Sequence, residues 1–144
     1  MECMGGNGYI EDSFFPRLYR EAPVNAIWEG SGNVQCLDVL RAISKTPELI
    51  EVLYSELDDI QDPHFKKALS DLKNNFAKYL EDEMHARYMT EKIAKMLQVK
   101  SLAFFGLDDF VTAYCATRFN VQMNMFGSPL ITQPMAIIEQ SYAL

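Results

Sequence analysis

The residues best suited to chemistry lie in one string, Trp28-Glu29-Gly30-Ser31-Gly32-Asn33. A carboxylate beside a large aromatic ring loses hydration, which raises its pKa toward the range where it can take a proton near neutral pH. The backbone N–H groups of Gly30, Ser31 and Gly32 stand just ahead of a helical pattern, where an oxyanion or phosphate is readily held. Ser31 adds a hydroxyl that can cap the helix or touch a ligand. Taken alone, the string reads first as an ordinary helix-capping loop with an exposed glutamate. A second string, Gly5-Gly6-Asn7-Gly8-Tyr9, permits tight turning or close approach of backbone to a ligand. It lacks the G-x-G-x-x-G spacing of a dinucleotide fingerprint and no strand precedes it, so alone it reads as a tight turn.

Other reactive groups point to quieter roles. Asp82-x-x-His85, flanked by Glu81 and Glu83, contains metal-ligand residue types. A di-iron bundle needs a Glu-x-x-His pair on each of two helices and two further glutamates, so one imperfect copy reads as a solvated face. His64 follows Pro63 at a helix start and is expected to face water. Cys3, Cys36 and Cys115 are odd in number and lack C-x-x-C spacing, which argues against a disulfide framework or zinc site and fits a reducing cytoplasm. The eight methionines are expected to fill core or interface.

The elements that must position these strings are helical. Pro16 and Pro23 punctuate a short segment with a helical turn or two over Ser13–Glu21, with Ser13 as its N-cap. After Gly32, Val34, Leu37, Val39, Leu40 and Ile43 recur at helical steps. Thr46-Pro47 ends that helix and begins another, with Pro47 at the first helical position. Leu49, Val52, Leu53, Leu57 and Ile60 are expected to line one face of it. Asp62-Pro63 restarts the chain, and Phe65, Leu69, Leu72, Phe76 and Leu80 form an apolar stripe on a charged helix. Ala86, Met89, Ile93, Met96 and Leu97 form the next stripe, closed by Gly106 as a C-cap. Asp108 or Asp109 is expected to cap a last helix carrying Phe110, Tyr114, Thr117, Arg118 and Val121. A tail from Gly127 to Leu144 ends on Met135, Ile137, Ile138, Tyr142 and Leu144. With no strand-like alternation, the fold class is all-α, a bundle of four to five helices.

Composition agrees and excludes some functions. The chain has 144 residues, of which 49% are hydrophobic and 23% charged, within the globular range. Thirteen Lys and Arg against 20 Asp and Glu give a net charge of −7, which speaks against non-specific binding to nucleic-acid phosphates. No apolar run reaches the ~18–20 residues that span a membrane, and Met1-Glu2-Cys3-Met4 lacks the basic flank and apolar core of a signal peptide.

The order of the motifs says more than any one of them. Gly5-Gly6-Asn7-Gly8-Tyr9 is followed by Pro16-Arg17-Leu18-Tyr19-Arg20-Glu21 and then by Ile27-Trp28-Glu29-Gly30-Ser31-Gly32-Asn33. This order resembles the C-terminal signature of the acyl-CoA dehydrogenase family: a Gly-Gly-x-Gly-Tyr loop, an Arg-acidic pair, then aromatic-Glu-Gly-Thr/Ser. The continuation Cys36-Leu37-Asp38-Val39-Leu40-Arg41 is similar to the AidB-like branch, whose helical C-terminal extension resembles residues 47–126. The resemblance is specific over residues 3–41 and looser beyond them.

The resemblance implies a flavoenzyme that takes two hydrogens from the α and β carbons of an acyl-CoA thioester. By motif position Glu29 is the base that removes the α-proton, and its backbone N–H is a donor to the thioester carbonyl. Trp28 walls the acyl pocket and Gly30 lies against substrate. Gly5, Gly6, Gly8 and Tyr9 approach the FAD of a neighbouring subunit, and Ser31 and Asn33 lie near the flavin's phosphates and sugar. The family's homotetramers imply a homo-oligomer, dimer or tetramer. The branch is associated with DNA binding through its extension, against which the acidic charge argues.

The expected division is residues 1–46, the end of the dehydrogenase helical domain, and residues 47–144, the extension packed with it as one unit. The family binds most of its FAD with an N-terminal helical domain and a middle β domain, for which 144 residues leave no room. The chain therefore reads as a fragment, inactive alone and purified without FAD. The competing expectation is a cofactor-free helical dimerisation or interaction module.

Overall fold

A computed structural model describes residues 1–28, 30–119 and 134–142. The described residues form seven α-helices with no strand: α1 (Phe15–Glu21), α2 (Gly32–Lys45), α3 (Glu48–Leu57), α4 (Pro63–Glu81), α5 (Ala86–Phe104), α6 (Asp108–Arg118) and α7 (Pro134–Tyr142). Short 3-10 turns cover Glu2–Gly8, Ala22–Ala26 and Glu83–His85. The all-α class agrees with the sequence. The helix count is higher than four or five, because α1 and α7 stand outside a five-helix body made by α2 to α6.

α5 is the axis of that body, packing against α2, α3, α4 and α6. Its inward side chains Ala86, Met89, Met96 and Val99 are buried, the last three completely. They meet Leu40 and Ile43 from α2, Leu57 from α3, Phe65, Leu69, Leu72 and Tyr79 from α4, and Cys115 from α6. Each large apolar side chain removed from water this way contributes roughly 1.5–3 kcal/mol, so this cluster, not helix propensity, holds the bundle.

Local sequence fixes the joints. Asp62 caps α4: its Oδ1 accepts from the backbone N–H of His64 at 2.8 Å and of Phe65 at 3.0 Å. Pro63 follows at the first helical position, where its missing N–H costs nothing. Asp82 takes an extended conformation that breaks α4 and accepts from Met84 N–H at 2.9 Å, so the acidic cluster stops the helix. α5 ends in a Schellman motif: Leu107 N–H bonds to Leu102 C=O at 3.1 Å and Gly106 N–H to Ala103 C=O at 3.0 Å. That motif places Gly106 at φ +70°, in the left-handed region that disfavours a Cβ.

Four expectations are corrected. α1 begins at Phe15 with no side-chain cap, and the Ser13 hydroxyl donates instead to Asn7 C=O at 3.4 Å. Pro47 is the N-cap of α3, one position earlier than expected. The inward face of α3 is Ile50, Leu53, Tyr54 and Leu57, so Leu49 and Val52 are exposed, as is Leu97 on α5. α6 is followed by α7, and Asp108 and Asp109 sit in its first turn behind the N-cap Leu107 without capping it. Asp109 instead accepts from Gln140 of α7 at 2.8 Å. Val121 and Leu144 lie outside the described residues.

Candidate functional site

The two motif loops precede the bundle and sit largely on its outside. The Glu2–Gly8 turn is interrupted at Gly5, where φ is +55° and ψ −143°. A Cβ on Gly5 or Gly6 would meet open space, whereas one on Gly8 would come within 2.5 Å of Met1 C=O. Gly8 is therefore required by close packing of its own turn. Tyr9 N–H closes the turn on Gly6 C=O at 3.0 Å, and the Tyr9 side chain is 73% exposed. Pro16 is buried at the start of α1, while Phe14, Leu18 and Tyr19 face solvent.

Arg20 on α1 forms a forked pair with Glu11, Nη1 to Oε1 at 2.6 Å and Nη2 to Oε2 at 3.3 Å. The hydrogen bond from Arg20 lowers the Glu11 pKa, and Glu11 raises that of Arg20 in return. Both side chains stay in water, so the pair orients the loop against α1 and contributes little stability. Arg20 thus ties the end of α1 back to the stretch that follows the first glycine loop.

The second loop leads into α2. Trp28 is 57% exposed. Glu29 lies outside the described residues. Gly30 has φ +110°, a conformation that L side chains rarely adopt, and its C=O accepts from the Gln35 side chain at 3.1 Å. Ser31 is the N-cap residue: its backbone is extended, its C=O accepts the first helical bond from Gln35 N–H at 3.1 Å, and its hydroxyl makes no cap bond. The N–H groups of Gly32, Asn33 and Val34 therefore have no helical acceptor and point out of the positive end of a 14-residue helix. Asn33 is bound from across the bundle by Arg87 at the start of α5, Nη1 to Oδ1 at 2.7 Å.

Arg87 was not legible as a site residue in the sequence. It stands 54 positions from Asn33, and only packing of α5 on α2 brings it there. Its guanidinium adds positive charge beside a helix end that already favours anions. Of the expected site residues, Gly30, Ser31 and Asn33 share this helix entrance, and Gly5, Gly6, Gly8 and Tyr9 share the first turn. Among the described residues no group of three or more His, Cys, Asp or Glu could hold a metal, and no helix is long and apolar enough to cross a membrane.

Residues 1–44, covering both loops and nearly all of α2, match the family "Acyl-CoA dehydrogenase, C-terminal domain". The match is confined to this N-terminal segment. The putative acyl-CoA dehydrogenase AidB of Escherichia coli K12 is 46% identical over 84 residues, 57% of this chain and 16% of that protein. The acyl-CoA dehydrogenase family member 11 of Caenorhabditis elegans is 57% identical over 44 residues, 31% of this chain and 7% of that protein. The chain thus spans less than one fifth of the length of these acyl-CoA dehydrogenases. The AidB match is longer than the family segment, so it reaches into the helices beyond α2. No solved structure is significantly similar to the chain.

Proposed function

We propose that this chain is the C-terminal portion of an FAD-dependent acyl-CoA dehydrogenase of the AidB-like branch, with Glu29 as the α-proton base of the assembled enzyme. The observation that carries the reading is the family match over residues 1–44, which contains Glu29 and both glycine loops in order. Residues 1–46 belong to the dehydrogenase helical domain, and residues 47–144 are its extension. Gly30 and Trp28 lie against the acyl thioester, and the Glu29 backbone N–H donates to the thioester carbonyl. A donor there stabilises the enolate charge that develops as the α-proton leaves.

The cofactor's fit rests on the α2 entrance. Its open N–H groups, the uncommitted Ser31 hydroxyl and the Arg87 guanidinium beside Asn33 suit the phosphate and sugar portion of FAD. When bound, FAD supplies the acceptor for the β-hydride. Ser31 and Asn33 orient it, while Gly5, Gly6, Gly8 and Tyr9 approach the FAD of a neighbouring subunit in a homodimer or homotetramer.

The isolated chain is inactive in this reading, since Trp28 and Tyr9 face solvent and the pocket's other walls must come from other polypeptide. The test is co-expression with a polypeptide carrying the remaining dehydrogenase domains. FAD retention and acyl-CoA turnover, both dependent on this chain, support the reading. Bound flavin and turnover in the chain alone contradict its inactivity.

The exposed Phe14, Leu18, Tyr19, Ile27 and Trp28 also favour a second reading, a cofactor-free dimerisation module. A stable dimer that never recovers flavin under co-expression supports that alternative. Nucleic acid and membrane are not proposed partners.

A further inference from the structure

A cleft of about 420 Å³ opens between α4, α5 and the end of α6, and no residue of either glycine loop lines it. Four cationic side chains line it, Lys67, Lys92, Lys95 and Arg118, against two carboxylates, Asp71 and Glu91. This is a local positive excess on a chain of net charge −7.

Both carboxylates are committed. Asp71 uses Oδ2 for Lys92 and Oδ1 for the Asn75 side chain at 3.0 Å. Glu91 pairs with Lys95 one helical turn away. Lys92 is largely buried, and its ammonium also lies 4.7 Å from the centre of the Tyr88 ring. Burial pulls its pKa down, but the hydrogen bonds with Asp71 and Tyr88 outweigh that, so it stays charged.

Lys67 and Arg118 are left over. Neither forms an ion pair with a described residue; Arg118 only rests its guanidinium 5.9 Å from the Tyr114 ring. Residues 120–133, which follow α6, contain no Asp or Glu. Two cations that pair with no described carboxylate thus face one concave site whose remaining walls include the Tyr88 and Phe119 rings. A tetrahedral dianion matches the two cations, and the rings offer apolar surface to whatever carries it.

We propose that this cleft binds a small organic phosphate, with Lys67 and Arg118 as its phosphate ligands. The proposal does not depend on the dehydrogenase reading. Its test is titration of the full chain with phenyl phosphate, inorganic phosphate and a single-stranded oligonucleotide, followed by amide chemical-shift mapping and calorimetry. We expect saturable phenyl phosphate binding in about the millimolar range or tighter, with shifts clustered on Lys67, Lys92 and Arg118. Inorganic phosphate should bind at the same residues but more weakly.

Lys67→Gln and Arg118→Gln should each weaken phenyl phosphate binding about two- to fivefold, as for loss of one solvent-accessible ion pair. Lys45→Gln, on α2, should leave it unchanged. Shifts clustered elsewhere, no saturation, or equal affinity in all three variants would overturn the proposal. Oligonucleotide binding without phenyl phosphate binding would also overturn it, in favour of an extended polyanion.

Discussion

Arg87 and Asn33, 54 positions apart, meet at 2.7 Å where α5 crosses the first turn of α2. The contact couples the family segment to the helices beyond it at the entrance where Gly30 and Ser31 also stand. Both partners are exposed, so each single substitution to Ala should cost less than about 1 kcal/mol. A double-mutant cycle by urea unfolding should return a coupling of about 0.5–1 kcal/mol. Zero coupling would mean the contact does not hold in solution.

The α4 cap is a stronger joint. Asp62 satisfies two backbone donors, and Asp62→Ala should lower stability by about 1 kcal/mol, within the range for lost N-caps. Asp62→Asn should recover much of the loss, because the amide oxygen can still accept. Thermal or urea midpoints of the two variants check this; equal losses would rule out capping as the cause.

Core and turn chemistry separate cleanly at α5. Met96 is fully buried on the axis helix, and Met96→Ala should cost about 2–5 kcal/mol, a large part of the stability of a domain. Gly106→Ala forces a Cβ into φ +70° with no crowding around it, and should cost about 1–2 kcal/mol from backbone strain alone. Urea unfolding curves of the two variants distinguish the losses by size.

Cys115 makes stability fall in alkali. Burial, aided by the nearby Asp62, pushes its thiol up to about 12. The unfolded chain releases this proton near the ordinary thiol pKa of about 8.5, so the folded state binds more protons above that pH. Its contribution is complete below about pH 8.5 and is lost as pH rises toward 12. Burial also raises Tyr54, Tyr79 and Tyr114, which act in the same direction at higher pH. Unfolding midpoints should therefore drop between neutral pH and about 10, and Cys115→Ala should flatten the first part of that drop. A thiol reagent at mildly alkaline pH should label exposed Cys3 in the native protein and Cys115 only after unfolding.

The bundle was largely legible because helix periodicity and joint residues agree. The stripe Phe65-Leu69-Leu72 reads directly as the buried face of α4, and Asp62-Pro63 and Gly106 mark helix ends by chemistry that does not depend on packing. The inward face of α3 does not show in the sequence, because Leu49 and Val52 are as apolar as Ile50. Which of two adjacent apolar residues turns inward is decided by where α5 lies. Ser13 looks like a cap in the sequence, but α1 starts at Phe15 with Phe14 in the N-cap position. At the candidate site the glycine loops were legible from motif order, but Arg87 and Glu11 were not. Their partners are set by tertiary approach and loop folding, which leave no spacing to read.

The central proposal, that Glu29 is the α-proton base of an assembled dehydrogenase, is tested most directly by grafting. Residues 1–44 of this chain would replace the matching segment of an active acyl-CoA dehydrogenase, with and without Glu29→Gln. The readouts are retained flavin absorbance, acyl-CoA binding and turnover with an artificial electron acceptor. The account predicts that both chimeras hold flavin and bind acyl-CoA, and that Glu29→Gln lowers turnover by about 10²-fold or more, as expected for loss of a general base. Equal turnover in the two chimeras would contradict it.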